Sequence, residues 1–168
     1  GSTFIVKRIK GVKRAALAPI MPSAKKGIMV IDIGANAECR PEMLVQFALM
    51  SSIYMEYAES VKSPKVGLLN IGVEETKGTP LQLEAYRMLK KAPLNFIGNI
   101  EAREIPSGNC DIIVTDGFSG NIVLKLTEGV AMYLFGMVKS AFKTNAKTKL
   151  AAAMMMPQLK QLKKKMDY

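Results

Sequence analysis

Short, wholly apolar runs recur along this chain, each closing on a polar turn that carries glycine, and longer stretches with helical periodicity separate them. Ile28 to Ile33, Val66 to Gly72, Leu94 to Gly98 and Ile112 to Val114 show little alternation of apolar and polar positions. That pattern suits strands covered on both faces of a parallel sheet. Arg14 to Pro19 reads as one more strand, stopped by Pro19 and Pro22, and Thr3 to Lys10 fits either a strand or the tail of a helix. Between the runs, Pro41 to about Glu59 reads as a helix with Leu44, Phe47, Ala48 and Met55 on its apolar face, and Leu81 to Lys91 as a second. Gly120 to about Phe142 reads as a third, with Val123, Leu126, Val130, Leu134 and Val138 as a core stripe, and Thr148 to Met166 as a further helical arm. The alternation predicts an α/β fold whose sheet is at least partly parallel.

In such sheets ligands bind beyond the carboxyl ends of the strands. The rule gathers four loops on one edge: Asp32 to Asn36, Asn70 to Gly78, Gly98 to Arg103 and Asp116 to Asn121. The last follows Ile112-Ile113-Val114 and opens a helix. Gly117 and Gly120 there permit close backbone approach to a ligand, and the amides of Ser119 to Ile122 form a candidate anion site at a helix N-terminus. The same residues also read as a plain strand-to-helix turn with an N-cap. Four polar, glycine-bearing loops on one edge favour a site.

Composition narrows the chemistry. At 168 residues and 49% hydrophobic the chain can bury one core. The net charge of +10 concentrates late, with eight lysines from Lys139 onward against the single acid Asp167. There is no histidine, so any reaction runs without imidazole. Cys39 and Cys110 lack metal-type spacing and read as small core residues of a reduced chain. The sequence pattern points to no membrane-spanning run and no signal peptide. No Gly-x-Gly-x-x-Gly fingerprint follows any strand, and Asp32, Glu74 and Asp116 lack the spacing that would assign a metal, so neither a cofactor nor a metal is expected.

Taken in order, several words of this sequence resemble the bacterial phosphate acyltransferase of phospholipid synthesis. They are Phe4-Ile5-Val6 with Arg14 to Pro19, Asp32-Ile33-Gly34-Ala35-Asn36, and Gly67 to Gly72 with Glu74 and Lys77-Gly78. Further on stand Asn95 to Glu101, Thr115 to Asn121 and Lys149 to Ala153. The resemblance implies transfer of a fatty acyl group from acyl carrier protein to inorganic phosphate in a cytoplasmic homodimer. It also implies an α/β/α sandwich similar to the isocitrate and isopropylmalate dehydrogenases and the phosphotransacetylases. A division into an α/β portion, residues 1–142, and a basic amphipathic arm, residues 143–168, forming a protruding C-terminal helical hairpin, completes the expected architecture. Family members carry a further α/β portion before these words and a glycine-rich segment leading to a Lys-Ala-His motif after them. The chain alone is therefore expected to be folded at best and inactive as a transferase.

Phosphate is already an anionic nucleophile and a thiolate leaves readily, so a site for this reaction must chiefly bind, align and stabilise an oxyanion. Lys77, Asn36 and Asn70 are the candidate catalytic residues, supplying charge and hydrogen-bond donors. Asp32, Gly34, Glu74, Asp116, Gly117, Ser119, Gly120 and Asn121 are the candidate binding residues, the carboxylates orienting donors rather than acting as bases. The apolar segment Leu150 to Pro157, with Met154, Met155 and Met156 between Lys149 and Lys160, is expected to contact an anionic membrane surface peripherally. A dimer interface and a docking face for acyl carrier protein are its competing readings. A basic nucleic-acid module built on Lys163 to Lys165, or an inactive structural fragment, is the alternative for the whole chain. The first is disfavoured because the basic arm is interleaved with alanine and methionine rather than with aromatic or polar readers.

Overall fold

A computed structural model describes residues 12, 14–144, 154, 155 and 157. The readings for Thr3 to Lys10, Lys149, Leu150, Met156, Lys160 and most of the Thr148 to Met166 arm lie outside these residues. The chain divides into two compact units, Gly1–Ile122 and Val123–Tyr168.

The first unit holds a mixed sheet of five strands, β1 (Ile20–Met21), β2 (Ile28–Ile31), β3 (Lys65–Asn70), β4 (Asn95–Glu101) and β5 (Ile112–Val114), in the order β1-β2-β5-β3-β4. Only β1 runs antiparallel. The Arg14 to Pro19 segment is not itself a strand. It runs beside β2, with Val30 N–H donating to Pro19 O at 3.1 Å and Ile33 N–H to Leu17 O at 3.2 Å. Proline has no amide hydrogen for a regular ladder, so paired strand begins only at Ile20.

Two crossover helices, α1 (Pro41–Tyr57) and α2 (Pro80–Lys91), join the parallel strands. Each opens on a proline in its first turn, where a missing amide hydrogen costs nothing. Gln82 Oε1 accepts Thr79 N–H at 3.2 Å and secures the start of α2. Met43, Leu44, Phe47, Ala48 and Met55 of α1 and Ala85, Tyr86 and Leu89 of α2 pack with Met29, Ile31, Val66, Leu68, Ile112 and Val114 in one core. Truncating fully buried Leu44 to alanine would cost about 2–5 kcal/mol.

Register sets the working edge. Ile31 pairs with Val114, Leu68 with Val114 and Asn99, and Asn70 with Glu101. The four parallel strands thus end together, bringing Asp32, Asp116 and Asn70 to one side. The anticipated Gly98 to Arg103 loop is instead strand as far as Glu101, followed by a 3-10 turn, Ala102–Ser107. A bulge between Phe96 and Gly98, with Gly98 at φ +99°, absorbs the glycine within the strand.

Helix α3 (Gly117–Ala141) corrects two expectations. Its stripe is not core: Leu126 is 65% exposed, and Val130, Leu134 and Val138 are exposed too. Helical periodicity records which positions share a face; here no described residue covers that face. The helix is also long and apolar enough to cross a membrane, with a mean hydropathy of 1.3 over its best window, against the expectation of no such run. Lys125, Glu128 and Lys139 interrupt the apolar residues of this stretch, so no unbroken run marks it in the sequence.

Candidate functional site

Asp32 follows β2 and is fully buried. Oδ1 accepts the amides of Leu17 at 3.1 Å, Gly34 at 3.2 Å and Ala35 at 3.0 Å. Oδ2 accepts the Asn36 amide and Asn36 Nδ2, each at 2.8 Å. Five donors compensate a carboxylate that would otherwise be costly to bury. Asn36 Nδ2 also donates to Ala15 O at 2.8 Å, so both of its side-chain hydrogens are engaged by the protein. As a donor to a phosphate or carbonyl oxygen, Asn36 is therefore a correction: it ties the loop together.

The start of α3 stacks against this turn. Gly117 N–H donates to Asn36 O at 2.8 Å, and a Cβ at Gly117 would lie 2.6 Å from the same oxygen. At Gly120 a Cβ would lie 1.9 Å from Asp32 O. At these two glycines the place of a side chain is taken by the protein's own backbone. Asp116, buried, caps the helix: Oδ1 accepts the Ser119 amide at 2.8 Å and its carbonyl accepts the Gly120 amide at 2.9 Å. The proposed cradle of Ser119 to Ile122 amides is thus a second correction, since the first two are spent on the cap and the helix. Exposed Asn121 remains at the rim, its side chain beside Gly34, where a Cβ would meet Asn121 Oδ1 at 3.6 Å.

Asn70 to Gly78 is organised differently. Asn70 Nδ2 donates to Lys77 O at 2.9 Å while its Oδ1 accepts the Ile71 amide at 2.8 Å, closing the loop on itself. Gly78, at φ +103°, has no room for a side chain, since a Cβ there would lie 2.7 Å from Asn70 Oδ1. Gly72 lets Glu74 and Lys77 fold over it: its Cβ would lie 2.7 Å from Glu74 Oε2 and 3.2 Å from Lys77 Cγ. Glu74 and Lys77 are exposed, and among the described residues nothing pairs with the Lys77 ammonium.

Sequence reasoning gave no role to Glu75, Tyr86, Lys90 or Asn99. Tyr86 Oη and Lys90 Nζ each donate to Glu75 Oε1 at 2.9 Å, and Asn99 Nδ2 donates to Glu74 O at 2.8 Å. The bonds from Lys90 and Tyr86 hold the Glu75 carboxyl below its ordinary range, and the bond to Glu75 raises Lys90. Burial raises Tyr86. Asn99 falls in the Gly98 to Arg103 stretch read as a loop, where a polar residue gives no sign of burial. Burial also raises both thiols, Cys110 to about 11, which makes neither a ready nucleophile.

Asp32, Gly34, Asn36, Asp116, Gly117, Ser119, Gly120 and Asn121 form one contiguous cluster. Asn70, Glu74 and Lys77 form a second, on the same sheet edge by register. A cavity of about 530 Å³ opens elsewhere, where Ser63 and Pro64 precede β3 and Pro93 and Leu94 precede β4; no cationic side chain lines it, so it does not suit phosphate. The described residues contain no group of three or more His, Cys, Asp or Glu able to hold a metal ion. Met154 and Met155 are exposed, at 74% and 48%.

A family profile described as fatty acid synthesis protein matches residues 1–168. Proteins named phosphate acyltransferase from Clostridium tetani and Alkaliphilus oremlandii are 54% and 52% identical over all 168 residues. The chain spans about half the length of these relatives, 50% of each. Among solved structures, the EutD phosphotransacetylase from Staphylococcus aureus aligns with a TM-score of 0.60 at 18% identity, over 77% of this chain and 46% of that one. A phosphotransacetylase from Streptococcus pyogenes aligns at 0.57 and 17%, over 73% and 44%. At these identities the likeness is one of fold: a mixed α/β sheet with helices, as in phosphotransacetylases.

Proposed function

The chain belongs to the fatty acid synthesis protein family, and on that premise we propose that it forms part of an enzyme that transfers a fatty acyl group from acyl carrier protein to inorganic phosphate. The observation that carries this reading is 54% identity to a phosphate acyltransferase across every residue of the chain. In the reaction a phosphate oxygen attacks the thioester carbonyl carbon. The tetrahedral oxyanion then collapses, the C–S bond breaks, and the carrier thiolate leaves as acyl phosphate forms. No side chain needs to act as a covalent nucleophile, which accords with a chain that lacks histidine and whose thiols are held protonated.

Lys77 is assigned the charge-bearing role, meeting phosphate or the developing oxyanion, because it is exposed on a braced loop and makes no ion pair among the described residues. Asn121 and the Ser119 hydroxyl supply polar contacts across the edge, while Asn70, Asp32, Asn36 and Asp116 hold backbone in place. Glu74, exposed on the same loop, is assigned to orient donors rather than to act as a base. The finer architecture assigned to the complete protein is the dehydrogenase-like α/β/α sandwich, a homodimer in the cytoplasm with a helical hairpin touching anionic membrane. The exposed apolar face of α3 and exposed Met154 and Met155 support apolar partners for this half of the chain.

The test is direct. The full-length protein, incubated with acyl-acyl carrier protein and phosphate, is expected to release carrier thiol and accumulate acyl phosphate, trapped as the hydroxamate, in equal amounts. Thiol release that does not depend on phosphate would contradict the proposal.

A further inference from the structure

The bulge in β4 decides which side chain of that strand faces the Lys77 loop. Phe96 packs edge-to-face on Tyr86 of α2, with ring centroids 5.2 Å apart, so it lies on the helix-covered face. Strict alternation would keep Ile100 on that face and put Asn99 on the other. The register instead slips between Phe96 and Gly98, so Ile100 lies over Gly67 and Cys110, where a Cβ on Gly67 would come 2.3 Å from Ile100 Cγ1. Asn99 is thereby turned to the face on which Glu74 lies, and its Nδ2 reaches Glu74 O at 2.8 Å.

Asn99 is 5% exposed, and its Oδ1 has no hydrogen-bond partner. A leucine would fill such a place without stranding an acceptor, so the residue type is explained by the one bond that its amide donates. Three consecutive anchoring points of the loop are held by three different elements. Glu74 O is held by Asn99 of β4, the Glu75 carboxylate by Tyr86 and Lys90 of α2, and Lys77 O by Asn70 of β3. Held on both sides, Lys77 keeps a fixed backbone while its ammonium has no partner among the described residues.

We propose that Asn99, delivered by the β4 bulge, and Tyr86 are positioning residues of the transfer site, clamping the Glu74–Lys77 loop so that Lys77 is presented to phosphate in a preorganised geometry. The inference rests on the transfer reading above for its catalytic half; the clamp itself is a statement about this loop alone. Preorganised charge stabilises a transition state more than a charge that must be ordered during the reaction, so loosening the loop acts on turnover and on phosphate KM.

The experiment uses Asn99→Asp in the full-length protein, with backbone amide exchange and steady-state kinetics measured together. The change preserves shape and removes the donor. Exchange across residues 71–78 is expected to speed by about three- to tenfold, the factor associated with one lost hydrogen bond, with α1 unaffected. Phosphate KM is expected to rise while the KM for the acyl carrier substrate holds. The introduced carboxyl donates only when protonated, so the defect relative to wild type is expected to shrink as pH falls, a dependence that a packing role alone would not create. Tyr86→Phe, which keeps the ring and drops the donor to Glu75, serves if the first variant does not fold, with the same exchange and phosphate response expected.

Unchanged exchange at 71–78 in a folded variant would overturn the clamp. Faster exchange with unchanged turnover and phosphate KM in an active enzyme would overturn the positioning role. If the wild-type protein makes no acyl phosphate, the transfer reading falls, and the exchange result alone decides the clamp.

Discussion

Two turns at the same sheet edge are held by side chain–backbone bonds, in opposite senses. Around Asp32 a buried carboxylate draws five donors inward, and Gly117 and Gly120 of α3 pack directly on the backbone of this turn. Around Lys77 the anchors grip carbonyls and a neighbouring carboxylate and leave the charged side chain in water. On the proposed function, the contrast separates scaffold from working surface. Glycine and asparagine occur in both turns, but only where the donors remain outward can they meet a substrate.

The largest expected effect lies on the scaffold side. Asp32→Ala strands several buried donors and is expected to cost at least about 3 kcal/mol, read as a drop in the urea midpoint of the full-length protein. A midpoint close to wild type would make the Asp32 turn a surface loop and erase the contrast. Next in size is Gly120→Ala, whose new methyl meets Asp32 O; it is expected to cost about 1–3 kcal/mol by overpacking. Were it stable but defective only in phosphate binding, Gly120 would return to the working surface.

A smaller effect uses the cysteines as reporters. Cys39 Sγ lies 3.5 Å from Asn36 O in the Asp32 turn, and Cys110 is buried under β3 with its thiol pushed up to about 11. Both thiols are raised, so labelling should be slow at neutral pH and quicken as pH rises, Cys110 lagging behind half-buried Cys39. Asn36→Ala should accelerate alkylation of Cys39 and leave Cys110 as it was. Equal acceleration at both would mean that the turn does not open independently.

Strand and helix positions were largely legible because Ile28 to Ile31, Val66 to Leu69 and Ile112 to Val114 are apolar without alternation, and Pro41 marks a helix start. That the candidate loops share one edge was legible, since parallel strands end together, but the bonds each residue makes there were not. Gly120 looks the same in a sequence whether it admits a ligand or the Asp32 carbonyl. Asp116 as a cap is local and was one of the two readings of that turn, whereas Asn36 as a brace to Ala15 and the β4 bulge depend on contacts between segments far apart in the chain. The stripe on α3 was read correctly as a stripe, yet period carries no information about what covers it.

Lys77 gives the smallest effect on stability and the sharpest test of function. Lys77→Ala removes an exposed, unpaired side chain and is expected to change the urea midpoint by no more than about 0.5 kcal/mol. The decisive measurement is phosphate-dependent acyl phosphate formation by the full-length Lys77→Ala protein, compared with wild type under the same conditions. Turnover at least about a hundredfold lower in a protein of unchanged stability is the expected result, the scale for loss of one preorganised oxyanion donor. Wild-type turnover and an unaltered phosphate KM would contradict the assignment of this loop as the working surface.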